Sequence, residues 1–290
     1  MKRQINEKSV WLIFYFVILI VSMIYAKLMI HPDEMNTSEV LHFPSWAHLF
    51  GTDYLGRDYF YQVIMGSVIS LCVGFLGTFG LIFVAVCFVL LMNFSKSKFM
   101  NVSGSMFLDI FQSLPTFVVN TVLALAFLQI FSNIGLFAQS MVAIVFSISL
   151  TMWMNPARLL LAQLNKILNE PFVEGAVALG ADQKWIYYRH VLPYFKETFL
   201  SLFFIYFPQS ILQESILSFI GLGIQSPYSS WGSLMQQGFG SLQTHPHLMI
   251  FPAMMIFITM MTFQTLNQKR NHFSPWRKDS TSFEINVKRI

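Results

Sequence analysis

Six apolar runs, each about as long as a bilayer is thick, leave this chain little choice of architecture. They lie at roughly 10–30, 66–92, 107–131, 137–161, 195–221 and 247–266. A helix rises 1.5 Å per residue, so about 20 apolar residues cross the hydrocarbon core. Only 11% of the residues are charged, against about a quarter in soluble domains. The expected fold is an all-α polytopic membrane protein with six transmembrane helices. The first run follows Lys2, Arg3 and Lys8, as the core of a signal peptide would. It is too long for that role and no A-x-A-like cleavage site follows, so it is expected to stay as a helix.

Charge sets the expected orientation. All 18 Lys and Arg except Lys27 and Arg57 fall in one alternating set: the N-terminus, 93–106, 158–196 and the C-terminal tail. Cytoplasmic loops are enriched in these residues, so both termini are expected in the cytoplasm of a plasma-membrane protein. The loop at 31–62 carries Asp33, Glu34, Glu39, Asp53 and Asp58 and is expected outside. This bias accounts for the net charge of +4, and nucleic acid is not an expected partner. Three stretches follow: 1–65 with the first helix and an outer loop, 66–268 as a five-helix core, and 269–290 as a basic tail.

Details within the runs add constraints. Gly66, Ser70, Gly74 and Thr78 recur every four residues, a small-residue stripe that lets helix backbones approach in lipid. It is expected to meet either a neighbouring helix or the other half of a dimer. Asp109 stands near the start of the third run and Glu214 near the outer end of the fifth. Such groups line a pathway or sit solvated at the interface. Pro115 is expected to kink the third run. Cys72 and Cys87, about 22 Å apart along one helix, are beyond disulfide reach and read as small apolar residues.

Several chemistries are absent. The sequence has no G-x-x-x-x-G-K-[ST] phosphate loop, no H-E-x-x-H and no G-x-S-x-G elbow. The pair His245 and His247 is separated by a proline and makes a poor metal site. No enzyme activity and no bound cofactor or metal are expected.

One polar island interrupts the greasy background: "EPFVEGAVALGADQKWIYYRHVLP", 170–193. Pro171 suits a first helical turn, and Glu174 complements the helix dipole there. Gly175, Ala176 and Ala178 give a thin face, Gly180 a stop, and Asp182 a cap for a second short helix through Lys184–Arg189. Pro193 is expected to open the fifth span. The island reads as a cytoplasmic docking element.

The spacing Glu174-Gly175-Ala176-x-x-x-Gly180, nine residues, then His190-Val191-Leu192-Pro193 resembles the E-A-A-x-x-x-G loop of permease subunits in binding-protein-dependent ABC importers. "RHVLP" is similar to the ending in the dipeptide/oligopeptide/nickel branch. "HLFGTDYLGRDYFYQVIMGSVISL" (48–71), "DIFQSLPTF" (109–117) and "ESILSFIGLGIQSPYSSWG" (214–232) resemble further segments of the C-type permease, in the family's order. Gly175 stands where the family has Ala, Ala253 where it has Gly, and 263–276 lacks the usual ending.

The resemblance implies a type I ABC importer permease fold and a coupling loop at about 166–194. It assigns ATPase coupling to Glu174, Gly175, Ala176, Gly180, Ala181, His190, Leu192 and Pro193. It makes Gly51, Asp53, Gly56, Arg57, Asp58, Gly221, Gly223 and Trp231 candidates for an outer gate or binding-protein contact; a surface turn and an ordinary helix end are the plainer alternatives for these. Asp109 and Glu214 are pathway candidates. The implied partners are a second, B-type permease, two ATPase subunits using ATP and Mg, and an extracellular substrate-binding protein. Peptides are the expected cargo, with nickel or a metal chelate as the alternative. An ATP-independent secondary transporter and a membrane-embedded enzyme are the rival classes.

Overall fold

A computed structural model describes residues 39–94, 98–224 and 228–273, with isolated positions 17, 20 and 24. The first expected span, 10–30, and the tail beyond 273 therefore lie outside the described residues. The described residues are helical apart from connecting loops and one isolated bridge, Thr52 to Asp58.

The central strut is α1, Tyr59–Phe94, 36 residues or about 54 Å long. The small-residue stripe faces other helices of the same chain. A Cβ on Gly74 would collide with Ile211, and Thr78 Oγ1 donates to Ser210 Oγ at 3.2 Å. A second stripe, Gly77 and Gly80, abuts Ile148 and Ser149. Helices therefore press on both flanks of α1, as small residues permit.

The third expected span is a corner. α2, Lys98–Gln112, and α3, Thr116–Ile130, meet at 90°. Pro115 has no N–H to donate and its ring crowds the preceding turn, so the helix ends at Gln112 and restarts after it. The single helix expected over 107–131 is thereby corrected. The fourth expected span is bent too: α4, Leu136–Thr151, and α5, Met154–Leu168, meet at 44°. Pro156, in the first turn of α5, cannot donate to the carbonyl of Met152.

A short helix α6, Pro171–Ala178, and a single turn α7, Gln183–Ile186, follow. Tyr187–Val191 then form one π-helical turn that runs without a break into α8, Leu192–Phe219. Pro193 stands in the first turn of α8, but the helix continues backward through the π turn. After α8 come a short α9, Trp231–Phe239, and α10, His247–Phe273. Helix α9 lies between the fifth and sixth apolar runs, where the hydropathy pattern shows no further span. Reciprocal bonds between Ser230 and Ser233 cap α9, using serine where a capping box usually has Glu or Gln.

Two apolar cores result. One joins α1, α4, α5 and α8 through Leu81, Ile144, Ile148, Leu160 and Leu202. The other joins the N-terminal end of α1 and the C-terminal half of α8 to α9 and α10 through Val63, Ile211, Trp231, Leu234 and Leu248. Large apolar side chains such as Phe83, Leu91, Ile130 and Phe257 remain exposed around the perimeter. By length and composition, α1 and α10 each suffice to cross a membrane, and so do the two bent pairs taken as broken spans. Helix α8 has the length, at 28 residues, but Lys196, Glu197 and Glu214 interrupt its apolar character. The chain is a multi-pass membrane protein.

Candidate functional site

The segment 166–194 folds as a projecting element. Glu170 is extended and precedes Pro171, which takes the first helical position. Val173 is the one α6 side chain buried against the body, while Glu174 and Gly175 are exposed and Ala176 and Ala181 half-buried. Gly180 adopts φ +85°. Its N–H donates to Val177 O at 2.9 Å, and Ala181 N–H donates to Ala176 O at 3.0 Å. That pair of bonds is the Schellman motif, which satisfies the last carbonyls of a helix and favours glycine. The predicted helix stop is therefore in place.

Apolar groups stand outward on this element: Leu179 is 91% exposed and Tyr188 75%, with Val177 and Leu192 also exposed. His190 lies in the π turn and Pro193 is exposed. Tyr187, in the same turn, takes a hydrogen bond from Asn93 at the end of α1. The second helix is one turn rather than the expected run through Arg189, because the π turn merges it into α8.

At the opposite end of α8 lies the group expected to face outward. Asp53 is almost fully buried and organises its own loop. Oδ1 accepts from the backbone N–H of Leu55 and Arg57, and Oδ2 from Arg57 Nε at 2.9 Å and Gln62 Nε2 at 2.6 Å. Gly56 has φ +72° and Gly51 φ +78°; any Cβ on Gly51 would collide with the His42 carbonyl. Asp58 accepts from Tyr61 N at the start of α1 and bonds His48 Nδ1 at 2.9 Å. These residues form a structured turn whose polar groups are spent internally.

Partial burial disfavours the charged His48 imidazole. The hydrogen bonds and charges of Asp58 and Glu39 outweigh that and hold it above the ordinary histidine range.

Gly221 ends α8 through a second Schellman motif, with φ +90° and Leu222 N donating to Leu217 O at 2.9 Å. Gly223 leaves room for Ser218, and Gly232 for the Ser215 backbone. Trp231 is completely buried: its N–H donates to Ser70 Oγ and its Nε1 to Val63 O, both at 3.1 Å. Its expected place as an outer contact is corrected, since it pins α9 to α1 from inside.

Glu214 is also fully buried. Ser218 donates to Oε1 at 2.6 Å, and Ser70 and Ser215 to Oε2 at 3.2 and 3.3 Å. The carboxyl knots α1, α8 and the start of α9 together instead of lining a pathway. Two of its serine partners, Ser215 and Ser218, are local, and the distant one, Ser70, is what ties the carboxyl to α1.

Asp109 is exposed on α2 and pairs with Arg158 on α5. One turn further, Gln112 Nε2 donates to Asn155 Oδ1 at 3.1 Å. Beside this contact opens a cavity of about 340 Å³, between the two helix breaks and the middle of α8. Gln209, Gln213 and Tyr206 line its α8 wall. Asn120 Nδ2 donates to Gln213 Oε1 at 3.2 Å from behind. Sequence reasoning missed these amides; the signal available was Gln209 and Gln213, two amides inside an apolar run.

Comparisons with known proteins agree with this architecture. Residues 85–270 match the family model described as binding-protein-dependent transport system inner membrane component. The oligopeptide transport system permease protein OppC of Haemophilus influenzae is 33% identical over 70% of this chain and 62% of its own length. OppC of Bacillus subtilis is 27% identical over 81% of this chain and 74% of its own. Solved structures of the MetNI methionine ABC transporter and of an amino acid ABC transporter superpose with TM-score 0.57, at 15% and 18% identity. Each covers 72% of this chain, and the match takes in 94% and 92% of theirs. At that identity the likeness concerns the fold, which is that of an ABC importer permease.

Proposed function

The chain belongs to the family of binding-protein-dependent transport system inner membrane components, and from that premise we propose that it is the C-type permease of an oligopeptide importer. In this reading it forms half of a translocation pathway, with a B-type permease as the other half. Two ATPase subunits supply the energy from ATP and Mg, and an extracellular protein delivers the substrate. The chain performs no chemistry of its own. Both termini and the 166–194 element face the cytoplasm, six spans cross the plasma membrane, and the 39–58 loop and α9 face outward.

The observation that carries the coupling role is the projecting element itself. An eight-residue helix, capped at its end and presenting Val177, Leu179 and Tyr188 outward, is an apolar surface without a mate among the described residues. Such a surface on a charged, non-spanning segment marks a protein contact. The Asp53 turn and the loop after Gly221 are the proposed outer contacts, with Trp231 acting by fixing α9.

Oligopeptide cargo is proposed because the relatives named above are oligopeptide permeases. Among the described residues no group of three or more His, Cys, Asp or Glu is arranged to hold a metal ion, so nickel has no comparable support.

The test is reconstitution of the chain with its sister permease, ATPases and binding protein. ATP-dependent uptake of a labelled tripeptide is expected. Peptide uptake without ATP would overturn the importer assignment, and ATP-driven uptake of a nickel chelate but no peptide would overturn the cargo.

A further inference from the structure

We propose that the cavity beside the two helix breaks is a contact site for the backbone of the passing peptide, made by the amides of Gln112, Asn155, Gln209 and Gln213. The proposal rests on the peptide-importer reading and deepens it.

The first argument is the lining. The cavity measures about 340 Å³, within the usual range for small-molecule sites. None of its lining residues is Asp, Glu, Lys, Arg or His, and four carry primary amides. An amide turned toward hydrocarbon loses its hydrogen bonds at a cost of several kcal/mol. Four converging on one hollow therefore mark a surface meant to face water or a polar ligand.

The second argument is the way the amides are held. Gln112 donates to Asn155 Oδ1, which engages one donor and one acceptor. The Asn155 amino group and the Gln112 carbonyl are left for a ligand. Asn120 does the same from behind by donating to Gln213 Oε1, which leaves the Gln213 amino group toward the cavity. Asn120 is fully buried and its Oδ1 has no partner among the described residues. The Gln112–Asn155 pair thus offers a donor and an acceptor side by side, the complement of a peptide group, and Gln213 adds a second donor across the cavity.

The third argument is chemical selectivity. Amides bind a peptide unit whatever side chains it carries, whereas a charged wall would attract one class of charged side chain and repel the other. A metal ion would find no carboxylate or imidazole in the lining. Asp109 and Arg158, one helical turn from Gln112 and Asn155, pair with each other. Broken helices beside such a hollow also match the way membrane transporters build substrate sites.

The test uses the assembled transporter in proteoliposomes with saturating binding protein, scored as tripeptide taken up per ATP hydrolysed. Wild-type complex that imports no peptide defeats the importer reading itself, separately from this proposal. Given wild-type import, Gln213→Leu is expected to lower uptake per ATP about fivefold to tenfold, the worth of one lost neutral hydrogen bond. Gln209 is exposed and lines the cavity, so assembly of each charge variant is checked before its transport is read. Gln209→Glu should raise the ratio of Lys-bearing to Glu-bearing tripeptide imported, and Gln209→Lys should lower it. Unchanged ratios in both charge variants overturn the proposal, even if Gln213→Leu is impaired or fails to assemble. Opposite shifts in the two variants support it.

Discussion

Two glycines five residues apart in the projecting helix should respond to alanine with opposite signs. Gly175 lies inside α6 with open space where its Cβ would go. Alanine there removes backbone freedom from the unfolded segment and gains about 0.5–1 kcal/mol. Gly180 also has open space, but at φ +85°. An L-residue there is strained by about 1–2 kcal/mol with no steric clash involved. An eight-residue helix is too short to persist by its own propensity, so the Schellman cap governs whether it stays formed.

Hydrogen exchange of 171–181 in the assembled complex reads this directly. Gly180→Ala should exchange roughly 5–30-fold faster than wild type, Gly175→Ala about 2–5-fold slower, and Gly180→Asn between alanine and glycine because Asn tolerates the left-handed region. If the element transmits closure of the ATPases, Gly180→Ala should also consume more ATP per peptide. Wild-type exchange in Gly180→Ala, or faster exchange in Gly175→Ala, would refute the cap argument.

Four further outcomes are expected. Glu214→Ala empties a buried site and strands the Ser70 and Ser218 hydroxyls, a loss of about 2–4 kcal/mol. Thermal denaturation in detergent should show it, with Glu214→Gln losing less. Gly232→Ala drives a methyl into the Ser215 backbone and should cost about 1–3 kcal/mol, visible as loosened protection of α9. His48 is held above its unfolded value, so its stabilisation of the 39–58 loop is full below about pH 6.5 and fades as pH rises through the folded value. Proteolysis of 39–58 should therefore quicken between pH 6 and pH 8 (about one unit either side of neutrality), and His48→Gln should abolish that dependence. Asp109 and Arg158 are both largely exposed, and a double-mutant cycle should give a coupling of about 1 kcal/mol or less.

Helix caps were legible in the sequence because they depend on neighbours in the chain. Pro171 and Gly180 announce the start and stop of α6 by backbone preference alone, and both stand where expected. The bends were legible only in part. Pro115 pointed to a kink, but whether a proline bends a helix or turns it through 90° depends on what packs around the corner. Pro156 carried the same signal for α5 inside a run whose hydropathy showed no break. Hydropathy measures how apolar a stretch is and has no direction, so a corner and a straight span of equal composition look alike. The fate of Glu214 was hidden for another reason. Ser70 is 144 residues away, and nothing local to the fifth run indicates that a hydroxyl from α1 will meet it.

The projecting element, the amide-lined cavity and the buried Glu214 knot are strung along one helix, α8. Its first turn continues the projecting element, its middle forms a wall of the cavity, and its last turns carry Glu214 and Ser218. At 28 residues it is about 42 Å long, so it has the reach to connect both membrane faces. Its backbone ladder is interrupted twice. One interruption is the π turn at Tyr187–Val191, tied to α1 through Asn93. The other is Pro208, which can donate no bond and sits next to Gln209. Beyond Pro208 the helix is locked to α1 by Gly74 against Ile211 and by the Glu214 serines. The half of α8 beyond Pro208 is thus the more firmly held, and the two places where its ladder lacks regular bonds are the π turn and Pro208. If the projecting element transmits force from the ATPases, a bend at Pro208 would move the next residue, Gln209, and with it the polar wall of the cavity.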